Sequence, residues 1–253
     1  MQDWLSVSRS LIYNLGYFTA LVLLGALATL LRPLRLKSET RYRLLMWYAP
    51  LLIRWARASV GVRYKVLGLE HLPSAKCVVL SNHQSSWETF FLASLFNPNS
   101  SLLKKELLEM PFFGKALAMV DPIAIERDKP TLALKQLIQQ GKDRLERGRW
   151  VIVYPEGTRV APGEKVDFSP GGVLLAMKTG VDIVPIAHNA GTVWKNGGLR
   201  QAAGEITVVI GPPIAVANKS RDALLHETED WIRSTLATLG DGSDCRDMGA
   251  CRT

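Results

Sequence analysis

Residues 10–31 of this 253-residue chain include no charged side chain. As a helix rising ~1.5 Å per residue, such a run extends roughly 33 Å, enough to match a hydrocarbon layer about 30 Å thick. Long uncharged runs are uncommon in soluble helices, so the segment points to a membrane. Arg9 precedes it, and Arg32, Arg35, Lys37, Arg41 and Arg43 follow it. Basic flanks stay on the cytoplasmic side, which predicts that everything beyond Leu31 is cytoplasmic. A cleaved signal peptide is not expected, because no basic leader of the usual kind precedes the run. A helical hairpin buried in a soluble fold is the alternative reading.

A second apolar stretch, residues 44–57, mixes Trp47, Tyr48 and Trp55 with Arg54 and Arg57. Aromatic residues beside arginines suit the headgroup region, and Pro50 would kink or restart a helix there, so residues 44–60 are expected to lie on or dip into the membrane. Charge supports this. Through Lys65 there are ten basic and two acidic residues, whereas the rest of the chain carries 21 of each sign. The net charge of +8 therefore sits on the most apolar part of the chain, as expected beside an anionic bilayer and not for a nucleic-acid surface. Three cysteines, at 77, 245 and 251, suggest neither a disulfide scaffold nor a metal site.

Beyond residue 60, short apolar runs at 63–67, 77–80, 102–103, 123–125, 151–154, 183–187 and 205–210 read as strands. Helical patterns occupy 86–96, 111–119, 131–147, 172–179 and 221–239. Such alternation predicts an α/β fold with a mostly parallel central sheet and helices on both faces, preceded by the N-terminal hydrophobic membrane element. The expected division is 1–60 as anchoring helices, 61–239 as the α/β domain and 240–253 as a flexible C-terminal tail.

Ligands in such sheets meet the loops leaving the carboxyl ends of the strands. The first such loop reads Ser-Asn-His-Gln-Ser-Ser-Trp-Glu at 81–88. His83 and Glu88 would lie about 140° apart on a continuous helix, so they can meet only if His83 is in the loop and Glu88 in the first helical turn. That geometry suits a general base oriented by a carboxylate. Ser85-x-x-Glu88 is equally a capping box, in which Glu88 satisfies a backbone N–H at the helix start. The loop Pro-Glu-Gly-Thr-Arg at 155–159 could be ordinary turn chemistry, yet Gly157 allows close backbone approach and Arg159 can pair with a phosphate. Arg127 follows a third strand; alone it reads as a surface charge. If the strands run parallel, His83, Arg127 and residues 156–159 arrive at one edge, setting a base beside anion-binding groups.

Asn-His-Gln-Ser-Ser-Trp-Glu at 82–88, Ile-Glu-Arg at 125–127, Tyr-Pro-Glu-Gly-Thr-Arg at 154–159 and Val-Pro-Ile at 184–186 resemble the four ordered blocks of the glycerolipid acyltransferases, and among them most the bacterial lysophosphatidic acid acyltransferases. The similarity spans about residues 62–215. It implies transfer of a fatty acyl group from an acyl thioester, carried by acyl carrier protein or coenzyme A, to the sn-2 hydroxyl of lysophosphatidic acid, giving phosphatidic acid. It also implies attachment to the inner membrane with the catalytic domain on the cytoplasmic face, and no metal or other cofactor. His83 would be the base and Glu88 its partner, standing where the family usually has Asp. Arg127 and Arg159 would hold the acceptor phosphate, with Glu156, Gly157 and Thr158 shaping that loop and positioning the glycerol. Lys105 would touch the phosphate or the developing oxyanion. Phe90, Phe91, Leu95, Pro111, Phe112 and Phe113 are candidates for an acyl tunnel. A different lyso-lipid acceptor, and a disabled membrane protein that only binds lipid, are the competing readings. A serine hydrolase is disfavoured by the lack of a G-x-S-x-G elbow.

Overall fold

The structure, a computed structural model, describes residues 2–111, 113–195 and 200–239; the expected tail at 240–253 and Phe112 lie outside the described residues. The chain opens with helix α1, Gln2–Leu31, followed by α2, Ser38–Met46, and α3, Tyr48–Ser59. Pro50 sits in the first turn of α3, where no intrahelical partner for its nitrogen is needed, so the helix restarts here and does not kink. Ala49, Leu52, Ile53 and Ala56 recur at helical spacing and form the buried stripe of α3, while Trp47 and Leu51 stay exposed. On α1, Tyr13, Leu24 and Ala28 are buried, while Leu11, Leu15, Phe18 and Val22 on the opposite side are exposed. Gly16 allows α1 to lie against α3, because a Cβ there would stand 2.3 Å from the Trp55 indole nitrogen.

The body alternates strands and helices: β1, Val62–Leu67; β2, Val78–Ser81; α4, Trp87–Leu95; β3, Asn99–Lys104; α5, Phe113–Met119; β4, Ile123–Ile125; α6, Pro130–Glu146; β5, Trp150–Val153; α7, Gly171–Thr179; β6, Ile183–His188; α8, Ala190–Val193; β7, Gly204–Ile210; and α9, Arg221–Leu239. The strands form one sheet in the order β1-β7-β6-β2-β5-β3-β4. Every pair is parallel except β6 with β7. All seven expected strands are present. β3 differs most, starting at Asn99 because the polar Asn-Ser-Ser segment pairs with Trp150–Ile152 of β5.

Side chains alternate across the strands and build two cores. Val79, Ile152, Val184, Ile206 and Val208 face Trp87 and Leu92 of α4, and Tyr13, Ile53 and Ala56 of the N-terminal helices join this same core. Val78, Leu80, Val151, Val153 and Ile183 face Leu137 of α6, Leu175 and Ala176 of α7, and Leu224 and Ile232 of α9. The sheet opens at one place. β3 pairs with β5 through Ser101, then with β4 from Leu102 to Lys104, so its later residues leave β5 and a cleft forms at the carboxyl edge.

Candidate active site

His83 follows β2, and Glu88 lies in the first turn of α4 with its side chain fully buried. The His83 Nδ1 stands 2.8 Å from Glu88 Oε1. That oxygen also accepts the backbone N–H groups of Gln84, at 2.8 Å, and Ser85, at 2.7 Å, while the Ser85 hydroxyl donates to Oε2. Capping and imidazole orientation are thus performed by one carboxylate. Burial alone would raise the pKa of Glu88, but the hydrogen bond from His83, the neighbouring His188 and the Ser85 hydroxyl together outweigh it and hold the carboxyl well below the usual carboxylate range. Glu88 is ionised at neutral pH and fixes Nδ1–H as the donor. Nε2 is then the ring nitrogen left to take a proton from a ligand.

Residues 154–160 fold over this loop. Val160 donates its N–H to the His83 carbonyl at 2.8 Å, and the His83 N–H donates to Glu156 Oε1 at 3.2 Å. Gly157 has φ +69° with open space around it, a conformation glycine adopts without strain. Its carbonyl accepts from Arg127 Nη1 at 2.6 Å. The Tyr154 ring stacks on His83, centroids 4.0 Å apart and planes 19° from parallel.

His83, Arg127, Gly157, Thr158 and Arg159 line one cavity of about 950 Å³. It extends from this polar end into the cleft beside β3. Tyr48, Phe90, Phe113 and Leu117 form one apolar wall, and Leu102, Leu134, Leu137 and Gly172 lie on the other side of the sheet. Two of the expected site residues lie off this cavity. Glu156 does not line this cavity: its carboxyl turns under the loop toward a separate cavity of about 120 Å³ that Asn82, Asn189 and Arg233 also line. Lys105 also lies off the cavity and pairs with Glu126 Oε1 at 3.0 Å, beside Lys129 on Oε2. Of the tunnel candidates, Phe90 and Phe113 line the cavity, whereas Phe91 stacks on Trp87 in the core and Leu95 packs against that core.

A family model described as acyltransferase matches residues 63–189, which hold His83, Glu88, Arg127 and residues 154–160. The 1-acyl-sn-glycerol-3-phosphate acyltransferase of Pseudomonas aeruginosa is 42% identical over 235 residues, covering 91% of each chain. The chain belongs to the acyltransferase family. Another relative in the family, the chloroplastic 1-acyl-sn-glycerol-3-phosphate acyltransferase BAT2 of Brassica napus, is 32% identical over 72% of this chain, which spans 54% of the plant protein. The crystal structure of the 1-acyl-sn-glycerophosphate acyltransferase PlsC from Thermotoga maritima superposes with a TM-score of 0.77 over 94% of this chain and 98% of that one. At 20% identity that match shows the shared fold.

Acyl transfer needs a base near an acceptor hydroxyl, and in this acyltransferase the His83 ring is held in one orientation by Glu88 and Tyr154. Three of its supports escaped the sequence reading. Asn82 clamps the end of β6, donating from Nδ2 to the His188 carbonyl at 2.9 Å and accepting the His188 N–H at 3.0 Å. The His188 ring in turn meets the Asn82 carbonyl at 2.8 Å, and burial keeps that imidazole less basic than usual. Tyr154 was legible as the end of an apolar run and the first residue of the block at 154–159, but not as a ring stacked on His83. The Ser86 hydroxyl accepts from Trp194 Nε1 at 3.1 Å, and Trp194 meets Tyr13 of α1 edge-on. Among the described residues no group of three or more His, Cys, Asp or Glu side chains is placed to hold a metal ion.

Proposed function

We propose that this protein transfers a fatty acyl group from an acyl thioester to the free sn-2 hydroxyl of 1-acyl-sn-glycerol-3-phosphate, giving phosphatidic acid. The observation that carries this reading is one cavity with a histidine base and two arginines at its polar end and apolar walls beyond. That is the shape of an anionic single-chain lipid beside a second chain. His83 Nε2 takes the proton as the hydroxyl oxygen attacks the thioester carbonyl, and the imidazolium is stabilised by Glu88. Collapse of the tetrahedral intermediate breaks the carbon–sulfur bond, and the thiol leaves with the proton returned from His83. No acyl-enzyme forms. Arg127 and Arg159 hold the phosphate, and Gly157 and Thr158 shape its loop. Glu156 acts from beneath by holding the His83 backbone. Lys105, paired with Glu126, contributes from the rim.

Residues 1–60 are the membrane element and 61–239 the catalytic domain in this reading, with acyl carrier protein or coenzyme A as the carrier of the donor chain. α1 is long and apolar enough over Ser6–Leu31 to cross a membrane, yet it packs along the body. Ser10 bonds to Gln201, Tyr13 meets Trp194, Tyr17 meets Phe90, and Leu24 and Ala28 join a cluster with Leu45 and Met119. A helix crossing the bilayer would stand clear of a water-facing domain, so this packing supports entry into one leaflet from the cytoplasmic face. The exposed stripe of Leu11, Leu15, Phe18 and Val22 would then meet lipid.

The deciding measurement supplies the purified protein with one acyl thioester and a panel of lyso-lipids. Phosphatidic acid should form, and His83→Ala should lower its formation by roughly 10²–10⁴. Transfer to other lyso-lipids alone would move the acceptor, and a wild type as inactive as His83→Ala would leave only lipid binding.

A further inference from the structure

We propose that Tyr154 is a positioning residue for acyl transfer, the face of its ring holding the His83 imidazole in plane and stabilising the imidazolium that forms as the acceptor hydroxyl gives up its proton. The inference rests on the acyl-transfer reading above and deepens it. Glu88 fixes which ring nitrogen carries the proton, but one hydrogen bond at Nδ1 leaves the ring free to swing about that contact. The Tyr154 ring removes this freedom, because its plane lies 19° from the imidazole plane with centroids 4.0 Å apart. A cation within about 6 Å of an aromatic centroid is attracted by the negative π-face. Neutral imidazole gains little from that face, while imidazolium gains more. The difference appears only where charge develops, which is the condition for lowering a barrier.

The chemistry of the hydroxyl sharpens the assignment. The Tyr154 Oη is buried and turned toward the Thr89 side chain, not toward His83, so what Tyr154 supplies to His83 is its ring. Burial, followed by the charge of Glu88, raises the phenol far above its ordinary value, so it carries no charge of its own. The other charged or titratable groups around His83 are Glu88 on α4, Glu156 and Arg159 in the loop after β5, Arg127 after β4, His188 at the end of β6 and Tyr17 of α1 on the cavity wall. Among the described residues, Tyr154 is the aromatic side chain stacked on the His83 ring face.

The test uses the full chain in lipid vesicles, with Tyr154 replaced by phenylalanine, by phenylalanines carrying one to three ring fluorines, and by leucine. Tyr154→Phe keeps the stack and should retain kcat within about twofold. Successive fluorines empty the π-face without changing its shape, and log kcat should fall stepwise to roughly a fivefold to tenfold loss, with KM for both substrates unchanged. Tyr154→Leu keeps water out but offers no π-face; its kcat should fall about tenfold, and the acid limb of kcat/KM against pH should move down by about half a unit. A flat fluorine series, or Tyr154→Phe losing as much as Tyr154→Leu, would overturn the proposal. Should Tyr154→Leu not fold, the fluorinated series decides alone. Absence of transfer by the wild type would instead count against the acyl-transfer reading.

Discussion

Two buried carboxyl groups flank His83, and they behave in opposite ways. Glu88 accepts from His83 Nδ1, two backbone amides and the Ser85 hydroxyl, and is held far below the ordinary range. Glu156 accepts the His83 N–H on Oε1, its Oε2 has no hydrogen-bond partner, and burial outweighs the backbone N–H groups of Glu156 itself and His83 and raises it to about 7. Glu88 is fully buried and Glu156 partly so, and desolvation therefore does not separate them in this direction. The number of donors aimed at each does. One side of the histidine is thus a fixed negative charge, and the other a group that exchanges its proton near neutrality.

Breaking the Glu88 side should have the largest effect. His83→Ala should lower transfer by roughly 10²–10⁴, the range for losing a general base, with binding of acceptor retained. Glu88→Gln should approach that loss while also destabilising the start of α4 by about 1 kcal/mol, visible in thermal melting, and Glu88→Asp should fall between it and wild type. If Glu88→Gln kept full kcat, orientation by a charge would not be the role of that carboxylate. At the rim, Arg159→Ala should raise KM for lysophosphatidic acid about tenfold or more with donor KM unchanged, since charge-assisted hydrogen bonds are worth about 1.5–3 kcal/mol. Equal effects on both substrates would remove Arg159 from the phosphate.

The Glu156 side makes a smaller and differently signed prediction. Its folded-state value lies above the unfolded one, so the native state binds the proton more tightly, and this stabilisation is present below about pH 4.5 and fades as pH rises to about 7. Glu156→Gln should therefore flatten the stability profile across that window and match or exceed wild type at pH 8, as followed by denaturant midpoints. Glu88 acts in reverse, losing its contribution as pH falls below the usual carboxylate range, and this acid limb should persist in the variant. A Glu156→Gln profile parallel to wild type would contradict the assignment. The smallest effect should come from Lys105→Ala, under threefold in KM, because Lys105 is exposed and bound to Glu126.

The sequence made the strands legible where they are continuously apolar, as in β2 and β5, and the loops that follow them. It concealed the first half of β3, since Asn99, Ser100 and Ser101 look like loop residues until Tyr42 supplies its hydroxyl to the Asn99 N–H and Asp121 its carbonyl to Ser100. His83, Glu88, Arg127 and Arg159 could be read because parallel strands deliver their following loops to one edge. The directions of Glu156 and Tyr154 could not. They depend on how residues 154–160 cross His83, which the Val160 amide determines from a distant part of the chain.

The way α1 is seated makes the proposed anchor inseparable from the α/β body. Membrane tails that merely tether can be clipped to leave an active, water-soluble remainder. Here Tyr17 forms part of the chamber wall and Tyr13 belongs to the sheet's core, so shortening the protein from its amino end would unroof the reaction vessel before it released the enzyme from lipid.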